Sequence, residues 1–338
     1  MPDSGTYTEP RIRVDVLFGA AARTTALFDE TFWSLRERPK QISPKWLYDE
    51  RGSVLFDEIT RLPEYYPTRA ERAILRERAS EIAELTGAAT LVELGSGTSE
   101  KTTLLLDAHY AGGTLERFVP FDVSEEILIQ AAEAVAARYD GVCVHAVVGD
   151  FEQHLSSLPA GSPRLLAFLG STIGNLYPEQ RARFLSRLAG VLEPDDRLLL
   201  GVDLVKSPAR IEAAYNDSAG VTEAFVRNVL TVLDRELESR FDPAAFGYEA
   251  RWDAEHEWVE IGLRSLRQQV IPLPALDVEV AFAAGELLRV EVSSKFRREG
   301  IEAELAGVGL EVEEFWTDPA GDFGLLLAAP AASSSETR

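Results

Sequence analysis

The chain has 338 residues, 46% of them hydrophobic, which is enough for one large α/β core and an accessory unit. A formal charge of −22 argues against a phosphate-neutralising surface, and therefore against nucleic acid as a partner, while the single cysteine, Cys143, excludes an internal disulfide. With no signal peptide visible and no apolar run near the roughly 18 residues needed to cross a bilayer, the expectation is a monomeric cytoplasmic enzyme with no membrane association.

In chain order, residues 1–22 show a weak pattern without a packing signature. Helical spacing follows over about 23–38, again after Gly52 (Val54, Leu55, Ile59, Leu62), and over 68–86, where Ala70, Ile74, Ala79, Ile82 and Leu85 recur on one face. From Thr90 the pattern alternates strand and helix. It predicts strands over 90–94, 117–121, 142–148, 164–169 and 197–203, with helices over 99–109, 124–138 and 179–192. Such alternation predicts a parallel sheet with helices on both faces, binding its ligands at the carboxyl ends of the strands. Cys143 and His145 fall within one of these apolar strands and read as packing residues.

Residues 208–238 read as helices. The period then changes, and 246–253, 257–270 and 275–283 have the alternation of an inserted antiparallel sheet. A helix is predicted over about 294–306, followed by two strands, Leu310–Trp316 and Phe323–Ala328, joined by Asp318-Pro-Ala-Gly-Asp322, a hairpin signal. The expected organisation is a weakly structured 1–22; N-terminal helices 23–66 contributing to the accessory unit; a core of 67–204; an inserted substrate unit 205–293; completion of the core by 294–329; and a flexible tail, 330–338.

The chemistry concentrates at three strand ends. Thr90-Leu-Val-Glu-Leu-Gly-Ser-Gly97 runs a buried-strand pattern into a glycine loop, with Glu93 two residues before Gly95. Gly95 and Gly97 allow a backbone to approach a ligand, but a dinucleotide fingerprint wants a third glycine where this chain has Glu100, which would meet a pyrophosphate with a carboxylate. Asp122 ends the second core strand and can accept from ribose hydroxyls. Asp150, followed by Phe151, ends the third and can accept from an adenine amino group, although Asp150 is equally a good helix cap. Glu93, Asp122 and Asp150 together suit a cofactor with a cationic end and ribose hydroxyls, such as S-adenosylmethionine. At the end of the fourth strand, Phe168-Leu-Gly-Ser-Thr-Ile-Gly-Asn-Leu176 places Gly170, Thr172 and Asn175 at the mouth of the sheet.

Longer words carry a resemblance to a known family. Pro44-Lys-Trp-Leu-Tyr-Asp49, Ile59-Thr-Arg-Leu-Pro-Glu-Tyr-Tyr-Pro-Thr-Arg69, Leu91 to Lys101, Phe168 to Leu176, Glu291-Val-Ser-Ser-Lys-Phe296 and Trp316 to Gly324 resemble the histidine-specific Nα-methyltransferases of ergothioneine biosynthesis. The resemblance runs from about residue 23 to 329. It implies a class I methyltransferase fold, that is, an α/β Rossmann-like sheet ending in an antiparallel hairpin, with a smaller α+β accessory domain. It further implies S-adenosylmethionine as donor, L-histidine as acceptor and three successive methyl transfers giving hercynine.

Carried over by residue, the resemblance puts Tyr48, Glu291 and Ser293 around the imidazole, and Tyr65, Asn175 and Tyr215 around the amine and carboxylate. Tyr65 and Asn175 are the residues nearest the chemistry. Gly95, Gly97, Lys101, Asp122, Asp150 and Phe151 would line the cofactor pocket with Glu93, Gly170 and Thr172. Ile261-Gly262 departs from the family pattern, which has Met and a bulky residue in the wall near the ring, so the expectation there is a roomier pocket. Direct displacement on a sulfonium requires no metal and no covalent intermediate, and none of the histidines at 109, 145, 154 and 256 falls in a matching word. Three alternatives stand beside this reading: methylation of tryptophan or tyrosine, a non-catalytic S-adenosylmethionine-binding protein, and a nicotinamide oxidoreductase, which Glu100 and the terminal hairpin oppose.

Overall fold

The computed structural model describes residues 11–332. Its strands are β1 (Ile12–Val16), β2 (Thr90–Leu94), β3 (Arg117–Asp122), β4 (Cys143–Val148), β5 (Arg164–Phe168), β6 (Arg197–Asp203), β7 (Phe246–Asp253), β8 (Trp258–Ser265), β9 (Gln269–Leu273), β10 (Val278–Phe282), β11 (Leu287–Ser294), β12 (Leu310–Thr317) and β13 (Phe323–Pro330). The helices are α1 (Ala20–Ser34), α2 (Glu50–Arg61), α3 (Pro67–Thr86), α4 (Thr103–Ala111), α5 (Glu125–Arg138), α6 (Phe151–His154), α7 (Pro178–Val191), α8 (Pro208–Tyr215), α9 (Val221–Leu237) and α10 (Arg298–Ala306).

An eight-stranded sheet in the order β1-β4-β3-β2-β5-β6-β13-β12 forms the core, parallel from β1 to β6 and closed by the antiparallel pair β13 and β12. This is the class I methyltransferase sheet. β2 and β5 are buried at every position, as strands covered by helices on both faces must be. Two apolar clusters, one including Ile82, Leu91 and Phe118 and the other Leu94, Phe168 and Phe184, cover the sheet. The terminal hairpin turns on Asp318, whose Oδ1 accepts the amides of Asp322 at 2.7 Å and Phe323 at 2.8 Å.

The remaining strands form two antiparallel sheets, β11-β8-β7 and β10-β9. Leu27, Trp46, Leu47, Leu55 and Tyr65 share a third apolar cluster with Val229, Leu233, Ile261 and Val290, so the segment before α3 packs with the elements inserted after β6.

The sequence reading is corrected at four places. Residues 1–22 were expected to be weakly structured, yet Ile12–Val16 is an edge strand paired in parallel with Val144–Val148; residues 1–10 and 333–338, including most of the expected tail, lie outside the described residues. Leu85, assigned to the buried face of α3, is 51% exposed, and the buried stripe passes through Glu71 instead. The stretch 287–294 is a strand, so the helix expected from 294 begins at Arg298. Finally, α4 begins at Thr103 rather than 99, because Ser99 adopts the left-handed region with φ 52° and holds the loop open for another turn.

Candidate active site

The carboxyl ends of β2, β3, β4 and β5 open into one cavity of about 730 Å³, whose far wall is built by β11 and the segment before α3. Glu93, Gly95, Gly97, Lys101, Asp122, Asp150 and Phe151 line one part of it. Tyr48, Tyr65, Gly170, Thr172, Asn175 and Glu291 line the remainder, so thirteen of the residues singled out in the sequence meet in one place.

At the glycine loop, Gly95 and Gly97 take φ values of 69° and 49°, which a side chain would strain. Asp122 fastens the turn: Oδ2 accepts the Gly97 amide and Oδ1 the Ser124 amide, both at 2.9 Å. Desolvation raises its pKa above the ordinary carboxylate value despite those two donors. Glu93 is 3% exposed, and burial pushes its carboxyl up to about 7 against the Thr102 hydroxyl that donates to Oε1. Oε2 has no hydrogen-bond partner among the described residues. The withdrawn carboxylates Glu93 and Asp122 beside a glycine turn form an acceptor set suited to a cationic, hydroxyl-bearing ligand.

Lys101 is held by Glu71, which the sequence reading missed. Glu71 has no exposed surface; Oε2 takes the Lys101 ammonium and Oε1 accepts the Gly170 amide at 2.7 Å, tying the β2 loop to the end of β5. The available signal was a carboxylate within the apolar stripe of a helix, where an unpaired charge would be very costly. Asp150 realises its capping role: it accepts the Glu152 amide at 2.9 Å and also receives Gln153 Nε2 and Lys45 Nζ, each at 3.0 Å. Lys45, likewise missed, lies inside the word Pro44–Asp49 and pairs with Glu30 as well, binding α1 and the segment after it to the end of β4. Phe151 stands edge-on to Phe168 and Phe184, at centroid separations of 5.3 and 5.6 Å.

At the other end, the short turn Thr172–Asn175 presents Asn175 beside Glu291. The approach is close enough that a Cβ on Gly174 would stand 2.9 Å from the Ser294 carbonyl. Glu291 reaches the cavity through a β-bulge: Arg289 pairs with Gly262 and Glu291 with Ile261, leaving Val290 extra, so that 289–292 all face the wall. Desolvation pushes the Glu291 carboxyl up to about 7, opposed by the charge of Lys295 and by the Asn175 amide. Burial raises Tyr48 and Tyr65 well above the ordinary phenol value, leaving both as neutral hydroxyls. Tyr48 is fixed edge-on by Phe56 and Phe225.

Three expected substrate residues do not line the cavity. Tyr215 lies one layer back, edge-on to Tyr65 at 6.2 Å, and its hydroxyl meets Ser293 Oγ at 2.7 Å. Ile261 is 1% exposed within the accessory core. The expectation of extra room at Gly262 is also corrected: a Cβ there would run into the Leu288 carbonyl and stand 3.0 Å from Leu287 Cδ1, so the space belongs to the bulged strand and not to a ligand. Cys143 is half-buried in β4, and the four histidines stay outside the cavity wall.

Comparison with known proteins decides the family. Residues 27–330 match the family described as histidine-specific methyltransferase, SAM-dependent. The chain belongs to it. Among relatives of this histidine-specific methyltransferase, the histidine N-alpha-methyltransferase of Mycobacterium tuberculosis is 54% identical over 94% of this chain and 99% of its own length. That of Mycolicibacterium smegmatis is 56% identical over 87% and 92%, respectively. Ergothioneine biosynthesis protein 1 of Neurospora crassa is 34% identical over 88% of this chain and 34% of its own length. S-adenosylmethionine is accordingly the methyl donor of this histidine-specific methyltransferase.

Proposed function

We propose that this methyltransferase transfers methyl groups from S-adenosylmethionine to the α-amino nitrogen of L-histidine, three times in succession, giving hercynine for ergothioneine biosynthesis, and that it works as a cytoplasmic monomer. The observation that carries the acceptor is Glu291, a desolvated carboxylate aimed by a β-bulge into the cavity beside Asn175. A carboxylate in that position accepts an imidazole N–H, and a neutral Tyr48 hydroxyl complements it, fixing tautomer and orientation together.

S-adenosylmethionine, when bound, supplies a methyl group activated by its positive sulfur. The residues proposed to hold it are Glu93, Gly95, Gly97, Lys101, Asp122, Asp150, Phe151, Gly170 and Thr172. The work of the chain is then alignment and exclusion of water. Asn175 and Tyr65 orient the amine lone pair, and Tyr215 and Ser293 support them from the layer behind. Burial raises the Tyr65 phenol well above its ordinary value, which favours the neutral hydroxyl as a hydrogen-bond partner of the amine. The amine arrives as ammonium; a desolvated site next to positive charge disfavours that form, and the proton passes to water.

Mass spectrometry of histidine incubated with the protein and a methyl-labelled donor tests this reading. Successive gains of one, two and three methyl groups on the α-nitrogen are expected. Labelling confined to tryptophan or tyrosine, or none at all, would overturn it.

A further inference from the structure

Behind Tyr65 and Glu291 lies a polar cluster centred on a cation, Lys295, to which the proposed reaction assigns no part. Lys295, directly after β11, has a side chain with no exposed surface, and Asp203 at the end of β6 is 1% exposed. The Lys295 ammonium donates to Asp203 Oδ2 at 3.0 Å, Tyr215 hydroxyl at 2.8 Å and Ser293 Oγ at 2.6 Å. Its three N–H bonds are therefore all used, on three different elements.

We propose that Lys295 is a positioning residue for the amino-acid acceptor, fixing the hydroxyls of Tyr215 and Ser293 and supplying the positive charge that offsets Glu291. This rests on the histidine reading above. The hydrogen-bond inventory supports it. Both hydroxyl oxygens accept from Lys295, and one hydroxyl donates to the other across 2.7 Å. Exactly one hydroxyl proton of the pair is left uncommitted. The pair is thereby set as a net donor, while Glu291, two residues before Ser293 on the same strand, is an acceptor. With the acceptor in the cavity wall and the donor pair held one layer behind it, the polarity around Glu291 is fixed, which suits the two unlike nitrogens of a neutral imidazole better than an indole or a phenol.

The electrostatics point the same way. Lys295 is the foremost influence opposing the burial that raises Glu291, and Glu291 and Asp203 in turn oppose the burial that lowers Lys295. The charged or titratable groups around the ammonium are Asp203 from β6, Tyr215 from α8 and Glu291 from β11, with Lys206 and Tyr66 on the far side of Asp203. Removing Lys295 does not orphan Asp203, which retains the Tyr66 hydroxyl at 2.9 Å and Lys206 at 2.5 Å. A neutral replacement is thus compatible with folding.

The test is steady-state kinetics and donor titration of the full chain carrying Lys295→Met, with wild type assayed in parallel. Expected are a rise in histidine KM of about 10-fold or more, a shift of the acid limb of kcat/KM to higher pH, and a donor Kd within about 2-fold of wild type. Lys295→Arg, which keeps the charge but not the geometry, should retain the acid limb while still raising KM. Unchanged KM and pH profile in Lys295→Met, with wild type active on histidine, would overturn the proposal alone; wild type inactive on histidine would remove the reading beneath it. Should Lys295→Met fail to fold, Lys295→Arg decides: a raised histidine KM with the acid limb retained supports the proposal, and an unaltered KM overturns it.

Discussion

The carboxylate of Glu71 fills the space that a Cβ on Gly201 would need. Gly201 lies in β6, and the same added carbon would also approach Phe323 Cε1 to 3.1 Å. The absence of a side chain at 201 is therefore what allows a fully buried carboxylate to reach Lys101 and Gly170. Gly201→Ala should destabilise the fold by about 1–3 kcal/mol. It should also weaken donor binding more than histidine binding, because Lys101 loses its fixed partner. Thermal denaturation and calorimetric titration measure the two effects, and a stable variant with normal donor affinity would contradict the link.

Glu93 gives the ligand-free protein a pH signature. Its folded-state carboxyl is raised by burial from an ordinary 4.5 to about 7, so between those values the folded chain binds more protons there than the unfolded chain does. Its stabilising contribution is complete below the unfolded value and is lost as pH rises through about 7. Glu93→Gln, which cannot ionise, should flatten that part of the stability curve. Urea unfolding at about pH 5 and about pH 8 would show it, and identical slopes for the variant and wild type would refute the assignment.

The core sheet was legible because its strands are continuous apolar runs, a pattern set by burial on both faces, and β2, β3, β4 and β6 carry an acid at or just beyond their carboxyl ends. The edge strand Ile12–Val16 was not, because it pairs on one side only among the described residues and its side chains are half in water, which leaves little periodicity to read. Glu93, Asp122 and Asn175 could be found because polar residues at strand ends have few other reasons to be there. Glu71 left only the faint signal of a carboxylate in an apolar helix stripe and Lys295 left none, since a lone charge reads as a solvated face until its partner, distant in sequence, is brought to it. Tyr215, Ser293 and Ile261 were assigned to the cavity by resemblance, and the fold sets them one layer behind.

On the proposed reading, Glu291→Ala removes a charge-assisted acceptor for the imidazole. A contact of that type contributes about 1.5–3 kcal/mol, so histidine kcat/KM should fall about 10- to 150-fold with donor affinity preserved. Initial-rate kinetics with histidine varied at saturating donor give the answer. Unchanged efficiency would remove Glu291 from the acceptor site.

Asp122→Ala should act on the donor instead. Losing the carboxylate frees the amides of Gly97 and Ser124 as well as the position proposed for the ribose hydroxyls, so donor Kd should rise by at least about 10-fold. Histidine KM, measured at saturating donor, should change little. Normal donor affinity by calorimetry would contradict this role.

Gly262→Ala separates two explanations of a small residue in the accessory sheet. Were Gly262 a gap in the acceptor pocket, one methyl group would fill empty space and tighten selection among aromatic amino acids. The Leu288 carbonyl already occupies the direction a Cβ would take, with Leu287 behind it, and the bulge at Val290 that aims Glu291 begins at the partner of Gly262, Arg289. The added methyl should therefore push β11 away, cost about 1–3 kcal/mol of stability and raise histidine KM without altering the ranking of histidine over tryptophan and tyrosine. Thermal melts with competition assays among the three amino acids check this. A variant of normal stability with a changed ranking would return Gly262 to the pocket wall.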